Sequence, residues 1–401
     1  MKRGLFRALF IGYSVSSVLL FLYSYTQVDL GLTLTRVSVW QKIQQSFQSV
    51  GYFQRPLSAT MYVVLLTALF ALYACFVHAA ARGKVTRKDA WVIIGCITLI
   101  LVWSYPAFSY DAFNYMFTAK TVLVYHKNPY TIAPIAFGGV DPWLSFLHWT
   151  HLPSAYTPLW IALTLPAYIF GFRFFLLTMW NMKILVAVFY LLSVRLIGAI
   201  MEQHDRERAV YAMVLFGLNP LVIVESLVSA HNDIVMMAIA LFAVYLYSKK
   251  KVAAFFVLSV SVALKLMTGA LIPVFLFGVK KRINVITASL VAMCMGLAFV
   301  LIYREFLPWY LVWVLPFVAL TPRRTALVVL ASALSLGLLL RYAPFLYYGH
   351  WDDPVPALMR WVTWMPIIVS GLYITISKIR TWMYGNRKMA MENRNRKLER
   401  N

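Results

Sequence analysis

Apolar runs of about 20 residues recur along the chain, separated by short basic loops, and a polar, aromatic stretch interrupts them at residues 104–158. Runs of this length suit helices that cross a bilayer, where each backbone polar group must be satisfied within its own segment. The pattern predicts a first helix over about 5–25, with Lys2, Arg3 and Arg7 at its start. Residues 26–57 are mixed and polar, with an interfacial helix expected near 37–50. Two more helices, at about 59–80 and 90–107, flank a loop holding Arg82, Lys84, Arg87 and Lys88. After the polar stretch come a helix at about 158–172 and an apolar run at 174–199 that contains Lys183. The alternation of sides does not close at 201–208: one of these two runs is re-entrant, or that loop is external.

The second half continues the pattern. A run at 209–227 is broken by Asn219-Pro220, and another at 234–247 ends at Lys249, Lys250 and Lys251. Only a hairpin of short helices fits between that triplet and Lys280-Lys281-Arg282, with Lys265 and Gly269 interrupting it. Further helices are expected at 283–303, 308–320, 325–340 and 359–376, before a basic tail. The fold class is therefore all-α: a polytopic helical membrane protein with roughly ten to thirteen membrane segments. No internal repeat is evident, which weakens an inverted-repeat transporter.

Composition sharpens this picture. Of 401 residues, 62% are hydrophobic and 13% charged, with mean hydropathy +0.73, more apolar surface than a soluble domain of this size can hide. The net charge of +23 would suggest nucleic acid in a soluble protein. Here the cations cluster in short loops, as the positive-inside rule requires, so no nucleic-acid partner is expected. Both termini are then cytosolic, and the 104–158 stretch is external. Cys75, Cys96 and Cys294 lie in apolar runs and suit buried small hydrophobes rather than disulfides or zinc. The basic N-terminus lacks a small-residue cleavage site and reads as an uncleaved helix.

Acids and histidines gather on the external side, and groups able to move protons near neutral pH gather with them. Asp111 stands a few residues from a helix exit; Asn114, Tyr115 and Lys120 share its helical face, a stripe suited to a sugar or phosphate. The plain alternative is that Ser109 or Asp111 caps a helix. Asn128-Pro129-Tyr130 and Asp141-Pro142-Trp143 are turn signals beside aromatics, and the segment Pro153–Pro158, with Tyr156, opens the next helix. Glu225, His231 and Asp233 form a second polar cluster, costly beside an apolar run unless paired or functional. Again a helix cap is the alternative, and the spacing is weak for a metal. Lys183 and Lys265 lie in apolar runs, where snorkelling is the usual outcome. Lys265 is the better phosphate partner, and Arg304 offers a second cation.

With these motifs in order, the chain resembles the GT-C superfamily of membrane glycosyltransferases. It is most similar to bacterial polyprenyl-phosphomannose-dependent mannosyltransferases, such as the mycobacterial α-mannopyranosyltransferases. The features that carry the resemblance are Ser109-Tyr-Asp111 with Asn114-Tyr115, Asn128-Pro-Tyr130, and the run from Pro153 to Trp160. Leu218-Asn-Pro220 with Glu225, His231-Asn-Asp233, Ala263-Leu-Lys265 with Pro273, and Pro308-Trp-Tyr310 with Pro316 follow. It departs from the family at Tyr156-Thr157-Pro158, where Tyr-Gly-Pro is common. The likeness covers about 90–320, giving a division into 1–89 (two helices and a loop, an addition before the usual module), a catalytic module at 90–320, C-terminal helices at 321–380 and a basic tail at 381–401.

The resemblance implies a hexosyltransferase that moves a sugar, mannose in this family, from a polyprenyl-phosphate donor to a glycan or glycolipid acceptor on the external face, with inversion. It makes Asp111 the catalytic base. Asn114, Tyr115, Lys120, Asn128, Tyr130, Tyr156, Glu225, His231, Asp233, Lys265 and Arg304 are then expected to bind substrate. Acidic groups beside a phosphate can recruit Mg²⁺ or Mn²⁺, but no spacing compels it. The alternatives are a transporter or flippase of lipid-linked saccharides, and a surface-polysaccharide polymerase or ligase.

Overall fold

The computed structural model describes residues 3–32, 34, 37–281 and 284–398, and among them there is no strand. The helices are α1 (Arg3–Ser24), α2 (Ser38–Gln48), α3 (Arg55–Ala81), α4 (Arg87–Leu101), α5 (Asp111–Leu123), α6 (Pro158–Ile169), α7 (Phe175–His204), α8 (Ala209–Gly217) and α9 (Pro220–Ile223). A π-helical turn, Val224–Val228, leads to α10 (Asp233–Tyr247), α11 (Lys251–Leu264), α12 (Ile272–Lys281), α13 (Val285–Tyr303), α14 (Leu315–Ala319), α15 (Thr325–Leu340), α16 (Tyr342–Tyr348) and α17 (Val355–Leu398).

Six segments are long and apolar enough to span a bilayer: Arg3–Gln27, Arg55–Ala81, Phe175–His204, Val285–Tyr303, Thr325–Tyr348 and Val355–Thr381. The pair Arg206–Gly217 and Pro220–Val228, bent by 57°, is a seventh if taken as one broken span. The break falls at Asn219-Pro220, where the missing proline N–H ends α8 and the Asn219 side chain accepts from Leu221 N–H to start α9. Four shorter apolar helices accompany them: Pro158–Ile169, Asp233–Tyr247, Lys251–Leu264 and Leu266–Gly278. The chain is thus an all-α, multi-pass membrane protein. The helix expected at 90–107 stops at Leu101, because the residues before Pro106 are steered out of the α conformation.

Polar contacts assign the helix ends to two sides. On one side, Arg87 pairs with Glu202, Arg208 donates to the carbonyl of Ala81 at 3.1 Å, Arg323 pairs with Asp205 at 2.7 Å, and Ser248 bonds Gln203 at 3.0 Å. The 201–208 loop therefore shares a side with the basic loop after α3, which resolves the open alternation. The explanation lies in α6. This helix of 12 residues packs beside α5, with Trp160 against Tyr115 near its start and Tyr168 against Trp143 near its end. Phe175, at the start of α7, stacks on Phe146 and Phe113. Both ends of α6 thus meet the 104–158 segment, and only α7 crosses.

The core is continuous through the bundle. α10 is buried almost all round, packed on α7 and α11, as expected of a central helix. At Gly337 of α15, an added Cβ would lie 2.0 Å from the Thr363 carbonyl oxygen, so a residue without a side chain lets α15 and α17 meet backbone to backbone. Two expectations are corrected here. Cys75 and Cys294 are exposed, not buried, because apolar faces of spans turn toward lipid; Cys96 is half-buried. Lys183 does not snorkel. It is fully buried, and its Nζ donates to the Ser104 carbonyl and hydroxyl and, at 3.3 Å, to the Val228 carbonyl. One side chain of α7 thus ties the segment that leads to Asp111 to the turn that carries Glu225.

Candidate active site

Asp111 is the first residue of α5, but its carboxylate is not spent on capping. Ser109 Oγ accepts from the Asp111 N–H at 3.2 Å, and the cap residue is Tyr110. The carboxylate instead accepts from the Tyr156 hydroxyl at 3.2 Å and faces His231 Nε2 at 3.7 Å, while remaining about one-fifth exposed. Tyr115, one helical turn on, is buried edge-on against Tyr156 and Trp160.

Behind Asp111 lies a buried ionic pair. His231 Nδ1 is 2.9 Å from Glu225 Oε2, a close contact bent away from straight hydrogen-bond alignment, so each atom lacks a well-aligned partner. Glu225 sits in the π-helical turn, and its other oxygen accepts from the Tyr342 hydroxyl at 3.1 Å. The His231 ring stacks on Trp309 at 4.2 Å between centroids. Burial disfavours the imidazolium. The Glu225 contact and charge, with Asp111 and Asp233, outweigh it, and the His231 pKa lies above its ordinary value.

Backbone strain presents this pair. The π turn inserts an extra residue, with Ser229 N–H reaching the Val224 carbonyl, and Ala230 then adopts φ = 58°, a left-handed conformation unusual for a residue with a side chain. The His231 N–H returns to the Glu225 carbonyl at 3.0 Å, folding the two side chains together. π turns and such outliers concentrate at functional sites.

A second pair flanks the first. Asp233, also fully buried, accepts from Lys265 at 2.7 Å and from the Trp313 indole, while its other oxygen has no partner. It does not cap α10, since no side-chain cap bond forms there. Lys265, between α11 and the following turn, is about one-third exposed, contacts Asn232 at 3.4 Å and lies over the Trp313 ring. The Asn232 N–H points at the Tyr115 hydroxyl at 3.5 Å, which links the two clusters. The outcome is a polar floor of Glu225, His231 and Asp233 beneath two partly exposed groups of opposite sign, Asp111 and Lys265.

The remaining expected site residues divide. Asn114 is buried one turn after Tyr110, whose carbonyl its amide meets at 3.5 Å. Asn128 turns the chain by accepting from Tyr130 N–H, and the Tyr130 hydroxyl donates to the Tyr156 carbonyl at 2.7 Å, so this turn supports Tyr156 from outside. Arg304 is exposed at the end of α13; burial raises the Tyr310 pKa, and the nearby Arg304 charge opposes part of that rise. Lys120 points elsewhere. It pairs with the buried Asp141 at 2.7 Å and covers the Trp143 ring, while Tyr125 donates to the same carboxylate at 2.8 Å. Trp309, Trp313 and Tyr342 join the cluster from distant parts of the chain. Pro308-Trp-Tyr310 was visible as a motif, but nothing local signals that Tyr342 reaches Glu225. Among the described residues, no three His, Cys, Asp or Glu side chains are grouped to hold a metal ion.

A family model described as alpha-(1->6)-mannopyranosyltransferase, N-terminal domain, matches residues 14–280, more than half of the chain. The chain belongs to this mannosyltransferase family. It is accordingly a membrane glycosyltransferase, and the match takes in Asp111, Glu225, His231, Asp233 and Lys265 but stops short of Trp309, Trp313 and Tyr342. It begins inside α1, so the helices before α4 fall largely within it. No curated protein and no solved structure matches the chain.

Proposed function

We propose that the protein transfers mannose from a polyprenyl-phosphate carrier to a glycan or glycolipid hydroxyl at the external membrane face, with Asp111 as base. The observation that carries this reading is that partly exposed Asp111 faces buried His231 while partly exposed Lys265 pairs with buried Asp233, two residues along the chain. Asp111 removes the acceptor hydroxyl proton as its oxygen forms a bond to the mannose anomeric carbon. The bond from that carbon to the phosphate oxygen breaks on the opposite face, so the configuration inverts. The carrier phosphate leaves with the bonding pair, and Lys265, with Arg304 at the rim, holds the added negative charge. Phosphate leaves readily without protonation, whereas the acceptor needs the base, worth roughly 10²- to 10⁴-fold. A cation held in place at the leaving group adds electrostatic stabilisation.

Two further features support the reading. His231, held beside Glu225, faces Asp111 Oδ2, and the Tyr156 hydroxyl donates to Oδ1, so the two together orient the carboxylate. An apolar hollow of about 410 Å³, bounded by Ala59, Val63, Ala343, Tyr347, Leu358 and Val362, suits a prenyl tail. Its wall includes α16, the helix whose Tyr342 touches Glu225.

Purified protein given polyprenyl-phosphate mannose and an acceptor should form mannoside, and Asp111→Asn should abolish this while the protein stays folded. Full transfer by that variant removes Asp111 from the mechanism. Movement of the lipid-linked sugar across vesicles without bond cleavage replaces the reading with a flippase. Activity only with a diphosphate-linked donor replaces it with a polymerase or ligase.

A further inference from the structure

α2 is built the wrong way round for a helix on a soluble surface. Two of its glutamines face the protein: Gln44 accepts from Leu34 N–H and donates to the Leu32 carbonyl, and Gln48 donates to the carbonyls of Val28 and Asp29 at 3.2 and 2.8 Å. Its opposite face carries Val39, Trp40 and Ile43, exposed by 63%, 58% and 39%. Those three positions fall within about 100° of one another on a helical wheel, with Lys42 at the margin. Such a face costs free energy in water and is stable at the boundary between headgroups and acyl chains, where a Trp and a flanking Lys are at home.

The location agrees. α2 lies between the end of one span and the start of another, since the first span ends at Gln27 and the next begins at Arg55. At those same ends the spans expose apolar residues: Val18, Leu19 and Leu22 before the helix, and Phe53, Leu57 and Met61 after it. The connection is tight, because a Cβ at Gly51 would fall 1.9 Å from the Thr26 carbonyl oxygen. Its leaflet is also determined. Asp29, held by Gln48, accepts from the hydroxyls of Tyr52 at 2.7 Å and Tyr110 at 3.1 Å. Tyr110 directly precedes Asp111, and His148 stacks on its ring at 3.5 Å.

We propose that the Val39–Trp40–Ile43 face of α2 is a docking surface for the lipid bilayer, seated in the leaflet that bears Asp111. Gln44 and Gln48 on its other face hold the backbone of Val28, Asp29, Leu32 and Leu34, and Asp29 braces Tyr110. The surface is independent of which reaction the site performs.

The test uses the full chain with Cys75, Cys96 and Cys294 replaced by Ala, reconstituted in phosphatidylethanolamine–phosphatidylglycerol vesicles. An environment-sensitive fluorophore is attached at Ile43→Cys or, for contrast, at Gln45→Cys on the exposed polar flank. The label at 43 should be quenched by lipids with a shallow doxyl group on the acyl chain and shielded from aqueous iodide; the label at 45 should show the reverse. Adding Trp40→Asp should shift the 43 label toward iodide, while the 45 label, unchanged, reports that the helix remains folded. Iodide access at 43 in the parent protein overturns the proposal. So does a label at 43 shielded from both quenchers, which would place a second copy or another protein on this face, and so does indifference to Trp40→Asp.

Discussion

His231 has a buried ring that gains a proton more readily than histidine in water, because Glu225, Asp111 and Asp233 surround it. A group whose pKa rises on folding contributes stability that is complete below its unfolded value, near 6.5, and is lost as pH climbs through the folded value. The melting temperature in detergent should therefore fall as pH is raised from about 6.5, and His231→Gln should flatten that slope. An unchanged slope in the variant would mean another group carries the effect. Lys120 shows what local spacing can and cannot reveal. Helical periodicity groups it with Asp111, yet it pairs with Asp141, which comes from a later turn of the same external segment. Removing one partner of a buried pair strands the other charge, so Lys120→Met should cost about 3 kcal/mol of stability. Transfer per folded molecule should nevertheless persist; a selective loss of turnover with unchanged melting would instead make Lys120 a substrate contact. Asp111 itself was legible, since an acid at a helix exit among aromatics is conspicuous. Its partners Tyr156 and His231 lie too far along the chain for any local pattern to join them.

Between residue and molecule, the π turn and the bend after it set the position of Glu225 and His231. A run of apolar residues containing one Glu reveals that something is buried there, but not that the helix takes an extra residue in one turn. Nor does it reveal that Ala230 turns left-handed. Those features depend on Lys183 and Tyr342, which arrive from α7 and α16 and hold the turn at Val228 and Glu225. The strained residue offers a direct test. A β-branched side chain is strongly disfavoured in the left-handed region, whereas glycine is at ease there. Ala230→Val should lose most transfer activity and destabilise by about 2 kcal/mol, while Ala230→Gly stays within about 1 kcal/mol of the parent. Equal tolerance of both would show that the His231 backbone need not hold this geometry.

At the scale of the molecule, charge and contact agree on two sides. The positive-inside bias assigns sides from loop composition alone, and it placed the loop after α3 correctly with the loops near 249 and 323. It could not decide the 201–208 loop, because hydropathy cannot distinguish a short apolar helix lying beside α5 from one that crosses. The contacts Arg87–Glu202 and Arg323–Asp205 decide it, and Asp111, Asp141 and Tyr156 then fall opposite the basic loops. If the basic side faces the cytosol, as translocation favours for short Lys- and Arg-rich loops, the site opens outward, as the proposed function requires. In intact cells, a membrane-impermeant maleimide should then label cysteine placed at the exposed Lys127, which precedes the Asn128–Tyr130 turn that supports Tyr156. It should spare cysteine placed at the exposed Lys84 until the membrane is opened. The reverse pattern would turn the molecule over. Asp111 would then face the cytosol, and donor and acceptor would both have to be sought there.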